Sequence, residues 1–186
     1  MIIRRIQNLI ENRLHTGKAI VLLGARQVGK TTILRQLTRG KEEETLWLNG
    51  DETDVQLLFE NASIERFKSV FGKSKYIVID EAQRIADVGL RLKLITDGIP
   101  GIQLLVSGSS SFDISNALNE PLTGRKWEFQ LFPISFGEMV NHTQILTETR
   151  MLPHRLVFGY YPDVVNHLGD RSEEHTSELQ SRQYLV

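Results

Sequence analysis

Residues 19–37 read A-I-V-L-L-G-A-R-Q-V-G-K-T-T-I-L-R-Q-L, and this stretch decides the fold. Its opening run, Ala19-Ile20-Val21-Leu22-Leu23, is uniformly apolar, which predicts a strand buried on both faces. Residues 32–37 then place Ile33, Leu34 and Leu37 at helical spacing. Between the two, Gly24-Ala25-Arg26-Gln27-Val28-Gly29-Lys30-Thr31 matches G-x-x-x-x-G-K-[ST], in the strand-to-helix context that this pattern requires. Glycines there let successive backbone N–H groups turn inward around an anion, and the following helix aims its positive end at the same point. The loop is therefore expected to cradle the phosphates of a nucleoside triphosphate, ATP with Mg²⁺. Lys30 would reach the β- and γ-phosphates, and the Thr31 hydroxyl would be a direct Mg²⁺ ligand. Gly24, Ala25, Val28 and Gly29 line the expected cradle. Arg26, Gln27 and Thr32 either join the nucleotide contacts or only cap the helix and face solvent.

Outward from this loop, short apolar runs alternate with segments of helical period, the pattern of βαβ units and a parallel sheet. Further strands are predicted at residues 46–48, ahead of a turn and acidic cluster at 49–51, and at 76–79 and 104–106. Trp127, Phe129 and Leu131 alternate with Glu128 and Gln130, which predicts a strand nearer an edge of the sheet. Helices are predicted over residues 64–71 through Ile64, Phe67 and Phe71, and through Val88, Leu92 and Ile95. Residues 1–14 carry Ile2, Ile3, Ile6, Leu9, Ile10 and Leu14 at helical spacing, the stripe of an amphipathic helix docked on a sheet.

The strand Tyr76-Ile77-Val78-Ile79 runs into Asp80-Glu81. A βα loop of a parallel sheet would hold these two carboxylates beside the phosphate loop, as a Walker B motif. Asp80 is expected to hold Mg²⁺ through water, and Glu81 to orient and deprotonate the attacking water. The alternative is that Asp-Glu only begins the next helix, near its positive end. A base at Glu81 favours hydrolysis over transfer to a second substrate, and no N-K-x-D pattern supports guanine recognition. Ser107-Gly108-Ser109 ends the next strand, where Ser107 would lie between the two motifs and touch the γ-phosphate or the lytic water. Ser109, Ser110 and Ser111 read equally well as caps of a following helix. A nucleophilic serine is ruled out because G-x-S-x-G would need glycine where Phe112 stands. Arg125, in Gly124-Arg125 before the edge strand, is either an arginine finger or a solvated turn residue.

Composition narrows the setting. The chain has 186 residues, 40% hydrophobic and 24% charged, which predicts a globular protein with one sizeable core. Its 22 basic and 23 acidic residues leave a net charge of -1, so charge does not imply a nucleic-acid partner. With no cysteine, neither a disulfide framework nor a thiolate metal site is available, and a cytoplasmic location is expected. His15, His142, His154, His167 and His175 lack metal-ligand spacing. No run reaches the roughly 20 apolar residues of a membrane span, and no membrane partner is expected.

Taken in order, G-A-R-Q-V-G-K-T-T, Y-I-V-I-D-E-A-Q-R, L-L-V-S-G-S-S-S, L-T-G-R-K, L-F-P-I-S-F-G-E and F-G-Y-Y-P-D-V-V resemble a family of prokaryotic AAA-superfamily ATPases, over residues 1–166. The resemblance implies an α/β fold of three layers, with five parallel strands in the order 5-1-4-3-2 and helices on both faces. It also implies the Walker B roles for Asp80 and Glu81 and a sensor position for Ser107. Arg125 gains weight as a finger, because AAA-type proteins carry one at the corresponding helix-to-strand junction. It favours action on a neighbour's nucleotide in a homo-oligomer over action within its own subunit. A P-loop ATPase domain is expected over residues 1–155, with residues 156–170 opening a C-terminal or lid region that continues into a further domain. Residues 171–181, R-S-E-E-H-T-S-E-L-Q-S, read as the in-frame translation of a sequencing-library adapter, so residues 171–186 are set aside as an artefactual, disordered tail. The leading expectation is an ATP-hydrolysing switch or motor that drives an attached domain. The alternatives are a nucleotide-gated interaction module with little turnover and a DNA-acting ATPase.

Overall fold

The computed structural model describes residues 2–109 and 121–166. Two compact units divide the chain, one formed by Ile3–Phe132 and the other by Met1–Ile2 with Pro133–Val186. The expectations for Ser110, Ser111, Phe112, His167, His175 and the tail from residue 171 fall outside the described residues.

Five parallel strands form the sheet of the first unit: β1 (Ala19–Gly24), β2 (Thr45–Asn49), β3 (Tyr76–Asp80), β4 (Gln103–Gly108) and β5 (Lys126–Leu131). Their spatial order is β2-β3-β4-β1-β5, the order 5-1-4-3-2 read from the other edge. The apolar runs explain the interior positions, since β1 and β4 are buried along their whole length. On β5 the period-two pattern places Glu128 and Gln130 in solvent and Leu131 in the core, as an edge strand requires.

Alternate strand residues face opposite layers. Ala19, Val21 and Leu23 of β1, Ile77 and Ile79 of β3, and Leu104 and Val106 of β4 share one core with α3 (Thr53–Glu60), α4 (Ile64–Phe71) and α5 (Val88–Gly98). Phe59, Phe67 and Phe71 anchor that layer, with ring centroids 5.2 and 5.4 Å apart. On the other side α2 (Lys30–Leu37) packs against β1 and β4, and α1 (Arg5–Glu11) against α2 and β5. Helices thus cover both faces of the sheet. The amphipathic stripe of residues 1–14 condenses into the two turns of α1, where Ile10 is fully buried.

In the second unit α6 (Phe136–His142) begins at a capping box in which Ser135 and Glu138 satisfy each other's backbone donors. It is followed by α7 (Ile145–Phe158) and α8 (Pro162–Asn166). Its core is small, built on Ile134, Met139 and Val165. A buried ion pair, Arg155 Nε to Glu148 Oε1 at 2.9 Å, spans two turns of α7. Among the described residues no helix is long and apolar enough to cross a membrane.

Candidate functional site

The site forms where the neighbouring parallel strands β3, β4 and β1 all end, because the loops that follow them converge at the C-terminal end of the sheet. Gly24 closes β1 in register with Leu131 of β5. A Cβ at Gly24 would lie 2.5 Å from the Leu131 carbonyl oxygen, so only glycine lets the two strand ends come this close. The loop then turns through left-handed backbone at Gln27 (φ 63°) and Gly29 (φ 98°). Gly29 immediately precedes α2 and offers no capping side chain. The leading N–H groups of α2 therefore face the concave side of the loop, with the positive end of the helix behind them.

Lys30 lies in this concavity and is only 5% exposed. Its ammonium donates to the carbonyls of Gly24 and Ala25, each at 2.9 Å. Burial pushes the Lys30 ammonium below the usual lysine range, against the pull of the Glu81 and Asp80 carboxylates, with Arg26 adding to the lowering. Arg26, Gln27 and Thr32 are exposed, whereas Val28 is fully buried.

A chain of side chains joins the three strand ends. The Thr31 hydroxyl, on the first turn of α2, donates to Asp80 Oδ2 at 2.8 Å. The other oxygen, Asp80 Oδ1, accepts from the hydroxyl of Ser107, which is fully buried at the end of β4. Ser107 in turn accepts from the Glu81 backbone N–H at 3.2 Å. Glu81 adopts left-handed backbone, with φ 52° and ψ 42°, a conformation that costs about 1–2 kcal/mol for a residue with a Cβ. The structure thus brings Lys30, Thr31, Asp80, Glu81 and Ser107 to one locus, with two carboxylates, two hydroxyls and one ammonium.

Arg125 stands apart from that locus. It precedes β5, and its carbonyl accepts from the Ala19 N–H at 2.9 Å, at the start of β1. The six residues of β5, at about 3.3 Å each, put it about 20 Å along the sheet from the Gly24 loop. Its guanidinium pairs with Asp97 at 2.6 Å in a partly exposed bridge.

Two contributors were not among the candidate site residues of the sequence. Arg4 is buried, and its guanidinium donates to the Val28 carbonyl at 2.9 Å and the Phe132 carbonyl at 2.6 Å, tying the phosphate loop to the end of β5. Gln83, on the turn Ala82–Arg84, donates through Nε2 to Glu81 Oε2. The partners of Arg4 lie 24 and 128 positions away and only the fold brings them within reach, whereas Gln83 is two residues from Glu81 and its geometry, not its distance in sequence, is what the structure adds.

With this geometry, the family described as "AAA domain" matches residues 16–140. The chain belongs to this AAA family. Its sheet order and three layers are those of AAA-superfamily P-loop ATPases, and membership suggests nucleotide binding and hydrolysis. The uncharacterized protein Rv2008c of Mycobacterium tuberculosis is 31% identical over 117 residues, 62% of this chain and 25% of that protein. The AAA chain thus spans about a quarter of the length of that curated relative. Among solved structures it resembles the signal transduction ATPase with numerous domains PH0952 from Pyrococcus horikoshii, which has a tetratricopeptide repeat sensor. The TM-score is 0.56 at 14% identity, over 87% of this chain and 28% of that one. It also resembles the Aeropyrum pernix ORC1 protein in complex with DNA, with TM-score 0.52 at 15% identity over 79% of this chain and 48% of that one. At such identities the likeness concerns the fold.

Proposed function

We propose that the chain binds ATP with Mg²⁺ and hydrolyses it, and that the nucleotide state drives an attached domain. One observation carries the reading: Thr31, Asp80 and Ser107 form a continuous hydrogen-bonded chain beside the Lys30 ammonium and the Glu81 carboxylate. The Thr31 hydroxyl and the Asp80 carboxylate, 2.8 Å apart, offer the all-oxygen donor set that suits Mg²⁺, with Thr31 as direct ligand and Asp80 acting through water. When bound, Mg²⁺ would neutralise charge developing on the phosphate oxygens.

In this reading Lys30 exchanges its two loop carbonyls for β- and γ-phosphate oxygens. Backbone groups of Gly24, Ala25, Val28 and Gly29 line the cradle, while Arg26, Gln27 and Thr32 are left at its solvent side. Glu81 accepts a proton from the attacking water, and Ser107 fixes the Asp80 carboxylate close to the γ-phosphate. Arg125 is too far along the sheet to serve its own subunit, so its finger role is assigned to a neighbour's nucleotide in a homo-oligomer. The ATPase unit is taken to extend to residue 155, with residues 156–170 opening the region that leads to the driven domain. A relative four times longer than the matched segment favours such an attached domain. The location is taken as cytoplasmic.

Steady-state phosphate release from ATP, with and without Mg²⁺, tests the reading. Release that requires Mg²⁺ supports it, and tight ATP binding without release would favour a nucleotide-gated interaction module instead. A DNA-acting ATPase would show stimulation by duplex DNA that weakens with salt, and the net charge of -1 gives no field to favour it.

A further inference from the structure

Gln83 lies two residues beyond Glu81, half-buried on the short 3-10 turn that follows β3. Its side-chain amide is held at both ends. The oxygen Oε1 accepts the backbone N–H of Ser109 at 3.0 Å, just past the end of β4. The nitrogen Nε2 donates to Glu81 Oε2. The Ser109 N–H can only donate, so it fixes which way the amide lies and leaves the NH₂ group turned to the carboxylate. Glu81 itself sits in left-handed backbone, where its side chain leaves the strand in a direction that regular β structure would not give.

We infer that Gln83 is the positioning residue of the catalytic base: it holds the Glu81 carboxylate by one oxygen, leaves the other for the attacking water, and ties the base to the end of β4. The inference rests on the role of Glu81 under the proposed function. A carboxylate on a flexible two-carbon arm samples several rotamers, and a general base acts only within hydrogen-bond reach of the proton it takes. The Gln83 amide removes that freedom on one side. Because the same amide is pinned by Ser109, a movement of the β4 terminus, where Ser107 also contacts Asp80, would be transmitted to the base. Under the proposed function the Gly24–Thr31 loop makes the ground-state nucleotide contacts, and Gln83 is not among them. The clamp should therefore act on the chemical step and leave binding alone.

The test compares Gln83→Met, which keeps the length of the side chain without its donor, and Gln83→Ala with the unmodified chain and with Glu81→Gln. For each, kcat and KM for phosphate release, the Kd for a fluorescent ATP analogue with Mg²⁺, and the thermal midpoint are measured. The expected result is a kcat lower by about 10- to 100-fold for both Gln83 variants, with Kd and the thermal midpoint unchanged. In the double variant Glu81→Gln/Gln83→Met the second substitution should have no further effect on the rate, because the group that it positions is already inactive. Wild-type kcat in both Gln83 variants beside an inactive Glu81→Gln would overturn the inference and leave the hydrolytic reading intact. An equal further loss in the Glu81→Gln background, or a raised Kd with unchanged kcat, would also overturn it. Release by Glu81→Gln at the wild-type rate would remove the hydrolytic reading and the inference with it.

Discussion

Lys30→Met is the substitution whose effect the geometry specifies most closely. The side chain is 5% exposed, and methionine keeps most of its aliphatic length, so the loop keeps its packing while losing one ammonium. Charge-assisted hydrogen bonds contribute about 1.5–3 kcal/mol each. In the free chain the ammonium already makes two such bonds, to Gly24 and Ala25 at 2.9 Å, and binding exchanges them for bonds to phosphate. The net loss is therefore smaller than the full strength of two phosphate contacts. One bond's worth, about 1.5–3 kcal/mol, corresponds to a Kd raised about 10- to 150-fold. Calorimetric titration with a non-hydrolysable ATP analogue and Mg²⁺ measures the change directly. An affinity within twofold of the unmodified chain would refute the placement of the phosphates at this loop.

Three other expectations follow from the same site. Lys30 holds its proton less firmly in the free chain than an ordinary lysine, and bound phosphates favour the charged form. ATP affinity should therefore fall as pH rises through the alkaline range, with proton uptake on binding there, and affinity that is flat or rising with pH would contradict it. Asp80→Asn keeps only one acceptor oxygen for the two hydroxyls of Thr31 and Ser107, so the Mg²⁺ dependence of ATP binding should weaken, and an unchanged dependence in paired titrations would count against the metal role. Arg125→Ala loses a partly exposed pair with Asp97 worth at most about 1 kcal/mol, so the fold should hold while phosphate release falls about 10³- to 10⁵-fold. Mixing it with inactive Glu81→Gln should restore measurable release if the site is shared between subunits, and wild-type release by Arg125→Ala alone would return this arginine to a surface role.

The sheet was legible because buried parallel strands leave an uninterrupted apolar signal. Residues 19–23, 76–79 and 104–106 each fall inside an observed strand, and the alternation at 127–131 announced the edge position of β5. The spatial order of the strands came from the family resemblance, since periodicity contains nothing about which strands neighbour each other. Helix α3 shows Val55, Leu58 and Phe59 at helical spacing, but over only eight residues, too short a stripe for periodicity alone to set it apart from the turn and acidic cluster before it. The phosphate loop and Asp80-Glu81 were legible as local motifs. Arg4 was not, since it reaches Phe132 across 128 positions; Gln83 stands two residues from Glu81, but the contact that orients its amide, to Ser109, spans 26. The separation of Arg125 from the loop likewise required the β1–β5 register to become visible.

The proposed function has ATP hydrolysed at the junction of β1, β3 and β4 with Glu81 as the base. Its most direct test is a single-turnover measurement with Mg²⁺ and radiolabelled ATP on the unmodified chain and on Glu81→Gln, with binding measured in parallel. The amide fills the same space and cannot accept the proton, so equal ATP affinity is expected, with bound ATP converted by the unmodified chain and retained intact by the variant. Conversion at equal rates by the two proteins would remove Glu81 as the base.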